Sequence, residues 1–157
     1  MSWNDFYQRQ HAIQAVLEHA GRHPAERLDP QEVPAARELF ADTGSLLLAL
    51  HHKWTQLITG RIGVALDEAD ADPRGDRVQA VTAAWRATAA RNPALRAVLD
   101  RHLGEPELGP SLEREQRMLA LATGLAEHTE PAEEITRVGA AFLRLLRGTA
   151  ERKLIAN

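Results

Sequence analysis

The strongest hydrophobic pattern in the chain lies between Thr43 and Asp70, a stretch that contains no proline. At 100° per residue its apolar side chains share one broad arc of a helix. The residues on this arc are Leu46, Leu47, Leu50, Trp54, Leu57, Ile58, Ile62, Val64, Ala65 and Ala69, with Leu48 and Leu66 at its margin. Such a helix is roughly 40 Å long at 1.5 Å per residue. We therefore expect the other helices to pack around one long central helix at about 43–70.

Amphipathic segments on both sides of this stretch predict further helices. The opening SWND places a Ser2 cap before a helix of about 18 residues that ends near Gly21 and Pro24. Its expected core face consists of Trp3, Phe6, Tyr7, Ile13, Val16, Leu17 and Ala20. A short helix is expected from about Pro34 to Ala41, and the later helices begin near Asp76, Asn92-Pro93, Ser111 and Pro131.

No segment alternates apolar and polar residues convincingly, and β-branched residues are sparse, so no sheet is predicted. The pattern as a whole predicts an all-α fold, a single-domain bundle of about seven helices that occupies residues 1–157.

Composition narrows the class of protein further. The 157 residues are 44% hydrophobic and 26% charged and include no cysteine, which excludes disulfides, thiolate metal sites and cysteine nucleophiles. No apolar run has the length of a membrane span, and the first twenty residues lack the apolar core of a signal peptide. A net charge of −3 argues against non-specific nucleic-acid binding. We expect a cytoplasmic protein that binds neither nucleic acid nor membrane.

An acidic hinge, DEADADPRGD, follows the central stretch and partly matches a calcium-binding loop. Asp70, Asp72 and Gly75 fit the pattern, but Arg74 and Val81 stand where two further ligands belong. We interpret the aspartates as turn formers and as a helix cap.

The seven histidines form no Glu-x-x-His pair. His19 and His23 have the spacing of zinc ligands on a helix, but Gly21 between them leaves their alignment open. A metal site built from separate helices, for instance by His51 and His102, is an alternative to buried histidines that bond to backbone carbonyls. We assign no metal, cofactor or catalytic residue.

Two polar residues, His51 and Arg61, lie on the apolar arc of the central stretch. A guanidinium removed from water needs a partner, and Glu115 lies on the apolar side of its own helix. We therefore predict an ion pair between Arg61 and Glu115. The alternative is a ligand site in which His51 and Arg61, with Glu115 nearby, hold a small anionic or apolar ligand against Trp54 and Trp85.

Two further features suggest contact with another protein chain. Gly60 and Gly63 weaken the long helix by roughly 1 kcal/mol each relative to alanine, and they lie on its polar side. Either a second chain packs closely against them, or the helix bends or ends near Gly60. Arg137, Arg144 and Arg147, continued by Arg152 and Lys153, form a positive stripe that is either solvated or binds an acidic protein.

These observations rank three functions. The first is a non-catalytic interaction or regulatory domain that binds a protein partner or forms a homodimer, and an exposed apolar strip beside Gly60 and Gly63 or along the arginine stripe would mark it. The second is a ligand-binding sensor domain with a pocket near the central helix. The third is a metal-dependent helical enzyme.

Overall fold

A computed structural model describes the backbone of residues 2–155 and the side chains of residues 2–148. Within that range the chain is all-α and contains no strand. The helices are α1 (Trp3–Arg22), α2 (Pro34–Arg37), α3 (Thr43–Ala71), α4 (Arg77–Arg91), α5 (Pro93–Arg101), α6 (Gly109–Thr123) and α7 (Ala132–Ile155). Short 3₁₀ turns cover Pro30–Glu32 and Pro106–Leu108. The predicted fold class and the long helix at 43–70 are confirmed.

The contacts divide the chain into two compact units. Unit 1 comprises Met1–Trp54 and Asn92–Gly109, and unit 2 comprises Thr55–Arg91 and Pro110–Asn157. The division falls within α3, between Trp54 and Thr55. The assignment of the chain to a single domain stays a prediction.

Unit 1 begins with a capped helix. The Ser2 hydroxyl accepts a hydrogen bond from the Asp5 amide, and the Asp5 carboxylate accepts one from the Ser2 amide, each at 3.2 Å. This capping box supplies partners for amides that the first turn of a helix leaves open. Helix α1 packs against α2 and α5. Its buried side chains are Ala12, Ile13, Val16 and Ala20.

The predicted core face of α1 is therefore only half right. Trp3, Phe6 and Tyr7 lie outside the core, with 77%, 46% and 62% of their surface exposed. The buried residues define a face that Trp3 and Tyr7 do not share, although all of them fit one broad arc in a helical projection. Leu39, which we expected in the core, is also exposed, whereas its neighbour Phe40 is buried.

Unit 2 contains the rest of α3 together with α4, α6 and α7. Helix α6 begins at Gly109, two residues before Ser111, so the predicted Ser111 cap is wrong. It ends at Thr123, and Gly124 follows with a φ of 74°. A left-handed residue directly after a helix is the usual position for glycine, which has no Cβ to clash there.

Helices α6 and α7 approach closely at Gly139. A Cβ placed on Gly139 would lie 1.7 Å from the carbonyl oxygen of Gln116. No side chain fits at that distance, so glycine sets the separation of the two backbones. Farther along α7 the prediction fails at Leu145, which is 70% exposed, while Leu143 and Leu146 are buried.

The acidic hinge connects α3 to α4 as a turn held by its own aspartates. Asp72 accepts a hydrogen bond from the Arg74 amide at 2.9 Å, and Asp76 accepts one from the Gln79 amide at 3.2 Å. The Arg77 guanidinium donates two hydrogen bonds to the Asp70 carboxylate. The interpretation of these aspartates as turn formers and a helix cap is confirmed.

Replacing Asp70 with asparagine should lower the melting temperature at neutral pH but not in acid. The hydrogen bond from Arg77 lowers the pKa of Asp70 below its ordinary value, so the folded state favours the ionised carboxylate. That stabilisation is complete above the unfolded pKa, near 4, and is lost as the pH falls toward the folded pKa. Melting curves of the wild type and Asp70→Asn between pH 7 and pH 3 should therefore converge below about pH 4. Asp67→Asn, at an exposed position of α3, is the control, and a gap for Asp70→Asn that persists at pH 3 would contradict the prediction.

Candidate functional site

An open groove of about 690 Å³ lies between the second half of α3 and the first half of α4, entirely within unit 2. Most of its wall residues have small side chains. These small residues are Gly60, Ala65, Ala69, Gly75, Ala80, Ala83 and Ala84. Because glycine and alanine project little beyond the backbone, the space between the two helices stays unfilled.

One larger apolar side chain and several charged ones complete the groove. Val64 lines it and is 60% exposed, although the sequence placed this residue on the core arc of α3. The charged wall residues are Arg61, Glu68, Asp72, Arg74 and Asp76. Three carboxylates and two guanidinium groups therefore border an otherwise neutral surface.

The turn at one end of the groove depends on Gly75. A Cβ at this position would lie 1.8 Å from the carbonyl oxygen of Ala69, the residue two positions before the end of α3. The chain can reverse this tightly because residue 75 has no side chain. Gly75 thus brings the start of α4 close to the end of α3, where both helices line the groove.

Arg61 is a wall residue of the groove and not the buried cation that we predicted. Its side chain is half-buried, and among the residues that the structure describes it has no ion pair or hydrogen bond. The predicted pair with Glu115 is therefore wrong. Glu115 itself is buried and makes contacts of its own.

The buried guanidinium is that of Arg96, in unit 1. It lies over the Trp54 ring, 4.5 Å from the ring centroid, and its Nε donates a hydrogen bond to Asp100 at 3.0 Å. Arg96 is 6% exposed and Trp54 is completely buried. A cation held over an indole ring and beside a carboxylate is compensated in both ways that proteins commonly use.

Sequence reasoning missed this cluster because Arg96 follows Leu95 on a short amphipathic helix and looks like one of its polar residues. The one available signal was the spacing of Arg96 and Asp100, which are four residues apart and therefore neighbours on the helix surface.

The residues predicted to hold a ligand are distributed over both units. His51 and Trp54 belong to unit 1, and Arg61, Trp85 and Glu115 belong to unit 2. All except Arg61 are buried, and each of those four makes a polar, ionic or ring contact. Their role in ligand binding stays a prediction.

Gly60 and Gly63 both lie inside α3, so the helix does not end near Gly60. No atom lies within 4 Å of the position that a Cβ would take at either glycine. Gly60 belongs to the wall of the groove. The open space beside both residues is compatible with the predicted contact to a second chain, which stays a prediction.

The arginine stripe on α7 is only partly solvated. Arg137 is exposed and pairs with Glu134 at 3.1 Å, and Arg144 is exposed, whereas Arg147 is half-buried and makes contacts. The side chains of Arg152 and Lys153 lie outside the described residues. The exposed Leu145 lies next to Arg144, which gives this face an apolar side chain that the sequence assigned to the core.

The first turns of α1 are a second exposed surface that the sequence did not predict. Every residue from Ser2 to His11 is exposed. Trp3 stacks on Tyr7 with ring centroids 6.1 Å apart, and Phe6 meets Tyr7 edge-on at 5.7 Å. We call these three side chains the aromatic cluster of α1. It holds three of the seven aromatic residues in the chain, a large share to leave in water.

His19 and His23 are aligned on one side of α1 despite Gly21. The His23 amide donates to the His19 carbonyl at 3.0 Å, so the helical turn continues past the glycine. One ring nitrogen of each histidine lies 3.6 Å from a different oxygen of Glu26. No group of three histidine or carboxylate side chains in the described part of the chain is arranged to hold a metal ion.

The buried His102 has the role expected of a core histidine. Its Nδ1 donates to the Val98 carbonyl at 2.8 Å, which satisfies one ring nitrogen within its own helix.

Comparisons with known proteins leave the argument to the geometry. No protein-family model, no curated protein and no solved structure matches this chain. Among the helices in the described range, none is long and apolar enough to cross a membrane.

Proposed function

We propose that this protein is a non-catalytic interaction domain that binds a helical segment of a partner protein in the groove between α3 and α4. The observation that carries this proposal is the groove itself, an open space of about 690 Å³ walled by small residues with Val64 exposed beside it. Amphipathic helices commonly bind by inserting large apolar side chains into a groove between two helices. Glycine and alanine walls leave room for such side chains, and Gly60 allows a close approach to the backbone of α3.

The charges of the groove favour an occupant whose inserted side chains are neutral. A buried charge without a partner is costly, and the floor of the groove provides none for an additional cation or anion. Arg61 is the exception among the wall residues, because it is half-buried and has no ion pair within the described range. Its guanidinium can lie on the face of an aromatic ring, a contact worth about 0.5–2 kcal/mol.

The same charges make a small anionic ligand the weaker proposal. Arg61 and Arg74 could attract an anion, but Glu68, Asp72 and Asp76 line the same groove and repel it. An open groove also buries less of a small molecule than the enclosed pockets that usually hold one.

A displayed library of helical peptides of about 15 residues tests the proposal and does not require the partner to be identified. We expect the selected peptides to carry large apolar residues at positions i, i+3 or i+4, and i+7, with aromatic residues enriched. Replacing Ala83 in the groove wall with tryptophan should weaken their binding at least tenfold, because the new side chain occupies the space that the peptide needs.

Ala90→Trp is the matched control, since Ala90 is an exposed residue of the same helix that is not among the groove residues. It should change the dissociation constant by less than about twofold. Selected peptides that bind Ala83→Trp as tightly as the wild type would place the interaction elsewhere and reject the proposal.

A further inference from the structure

We infer that the partner helix for the groove is the N-terminal half of α1 from a second copy of this chain. The inference rests on the proposed function of the groove and adds the identity of its occupant. It combines two exposed features of one molecule, the aromatic cluster of α1 and the groove between α3 and α4.

The exposed half of α1 has the form that the groove requires. It is already helical, because the capping box of Ser2 and Asp5 fixes its first turn. Its surroundings do not obstruct docking, since all residues from Ser2 to His11 are exposed. A preformed helix loses little conformational entropy when it binds.

Side-chain size is complementary between the two surfaces. Trp3, Phe6 and Tyr7 are large and project from consecutive turns of α1, with the i, i+3 and i+4 spacing by which a helix presents anchors to a groove. The groove wall is formed largely by glycine and alanine. Large side chains on one surface thus face empty space on the other.

The charges are complementary as well. Gln10 continues the face of the aromatic cluster, so the inserted surface carries no charge that would need a partner in the groove. Arg61 instead gains aromatic ring faces as partners. Polar side chains elsewhere on α1, such as Arg9 and His11, can remain in water on the far side of the docked helix.

The area involved predicts a weak and reversible association. Three aromatic side chains of about 150–250 Å² each, exposed to the fractions given above, offer roughly 300–450 Å² per chain. A contact with matching area on the groove totals about 600–900 Å², below the roughly 1,200 Å² at which stable interfaces begin. We expect dissociation constants of tens of micromolar or weaker.

This contact joins two different surfaces, so it does not close into a dimer by itself. A second copy bound through its α1 end still has a free groove, and further copies can add until a ring closes. Chains that lack one surface each should form only a pair.

Sedimentation velocity at about 10–500 µM tests the inference with two variants. Trp3→Ala/Tyr7→Ala removes the anchors, and Ala83→Trp fills the groove, and both changes affect exposed residues only. The wild type should show a weight-average mass that rises with concentration. Each variant alone should associate at least tenfold more weakly, whereas an equimolar mixture should regain a 1:1 complex and nothing larger. Ala90→Trp should behave like the wild type.

The other outcomes separate the two proposals. A wild type that stays monomeric at the highest concentration while the selected peptides still bind the groove would overturn this inference and leave the proposed function with a different partner. Association that survives Ala83→Trp would show that the aromatic clusters pair with each other, which also overturns it. A mixture of the two variants that fails to pair would have the same meaning, and circular dichroism of each variant establishes that it is folded.

Discussion

Replacing Trp54 with alanine should destabilise the protein by about 4 kcal/mol, the middle of the range measured when buried aromatic residues are truncated. Trp54 is completely buried, and its ring lies under the guanidinium of Arg96. The substitution both leaves a cavity and removes the aromatic face that compensates a buried cation. For a chain of this size the melting temperature should fall by roughly 8–16 °C. Urea unfolding followed by circular dichroism measures the change in free energy.

Trp54→Phe separates the two contributions. Phenylalanine keeps a ring under Arg96 and leaves a smaller cavity, so we expect a loss of about 1–2 kcal/mol. If Trp54→Ala changed the free energy of unfolding by less than about 1 kcal/mol, the indole ring would not be the packed centre of unit 1 that the structure shows.

Replacing Gly139 with alanine should lower the free energy of unfolding by about 3 kcal/mol and the melting temperature by roughly 6–12 °C. The added methyl group would lie 1.7 Å from the Gln116 carbonyl oxygen, and this oxygen belongs to the backbone of α6. A backbone cannot rotate away as a flexible side chain can, so α6 and α7 must separate. Separation loosens the neighbouring cluster of Ala120, Ala126 and Ile135.

Gly63→Ala is the matched control for this prediction. Gly63 also lies inside a helix, but no atom approaches the position of its missing Cβ. Alanine is the better helix former, so this substitution should raise stability by about 0.5–1 kcal/mol. Opposite signs for the two glycine substitutions are the expected result, and equal effects would show that the close approach of α6 and α7 is absent in solution.

The two interaction surfaces were visible in the sequence only in part. Gly60 and Gly63 were correctly singled out, because glycine inside a long helix weakens it and so requires a reason. The alanines that form the opposite wall gave no such signal, since alanine is the most favourable residue in any helix. The groove exists because α3 and α4 run beside each other after the turn at Gly75, and a helical projection of one segment contains no information about its neighbour.

The exchange of roles between Arg61 and Arg96 has a similar cause. Both residues lie beside apolar positions, and the sequence placed Arg61 in the core because α3 is apolar over most of its surface. A helix can show a broad apolar arc and still leave part of it uncovered, as Val64 demonstrates with 60% exposure. Which arginine is buried depends on which part of each helix another helix covers.

The sequence by itself determined the elements that local chemistry controls. It predicted the all-α class, the long helix at 43–70, the Ser2 cap and the turn-forming aspartates of the hinge, because periodicity, capping and turn chemistry act within a few residues. Only the tertiary structure decided which apolar faces are covered. It exposed Trp3, Phe6, Tyr7 and Leu145, buried Arg96 over Trp54, and made Gly139 a contact point, because covering a face requires a partner element that lies far away in the chain.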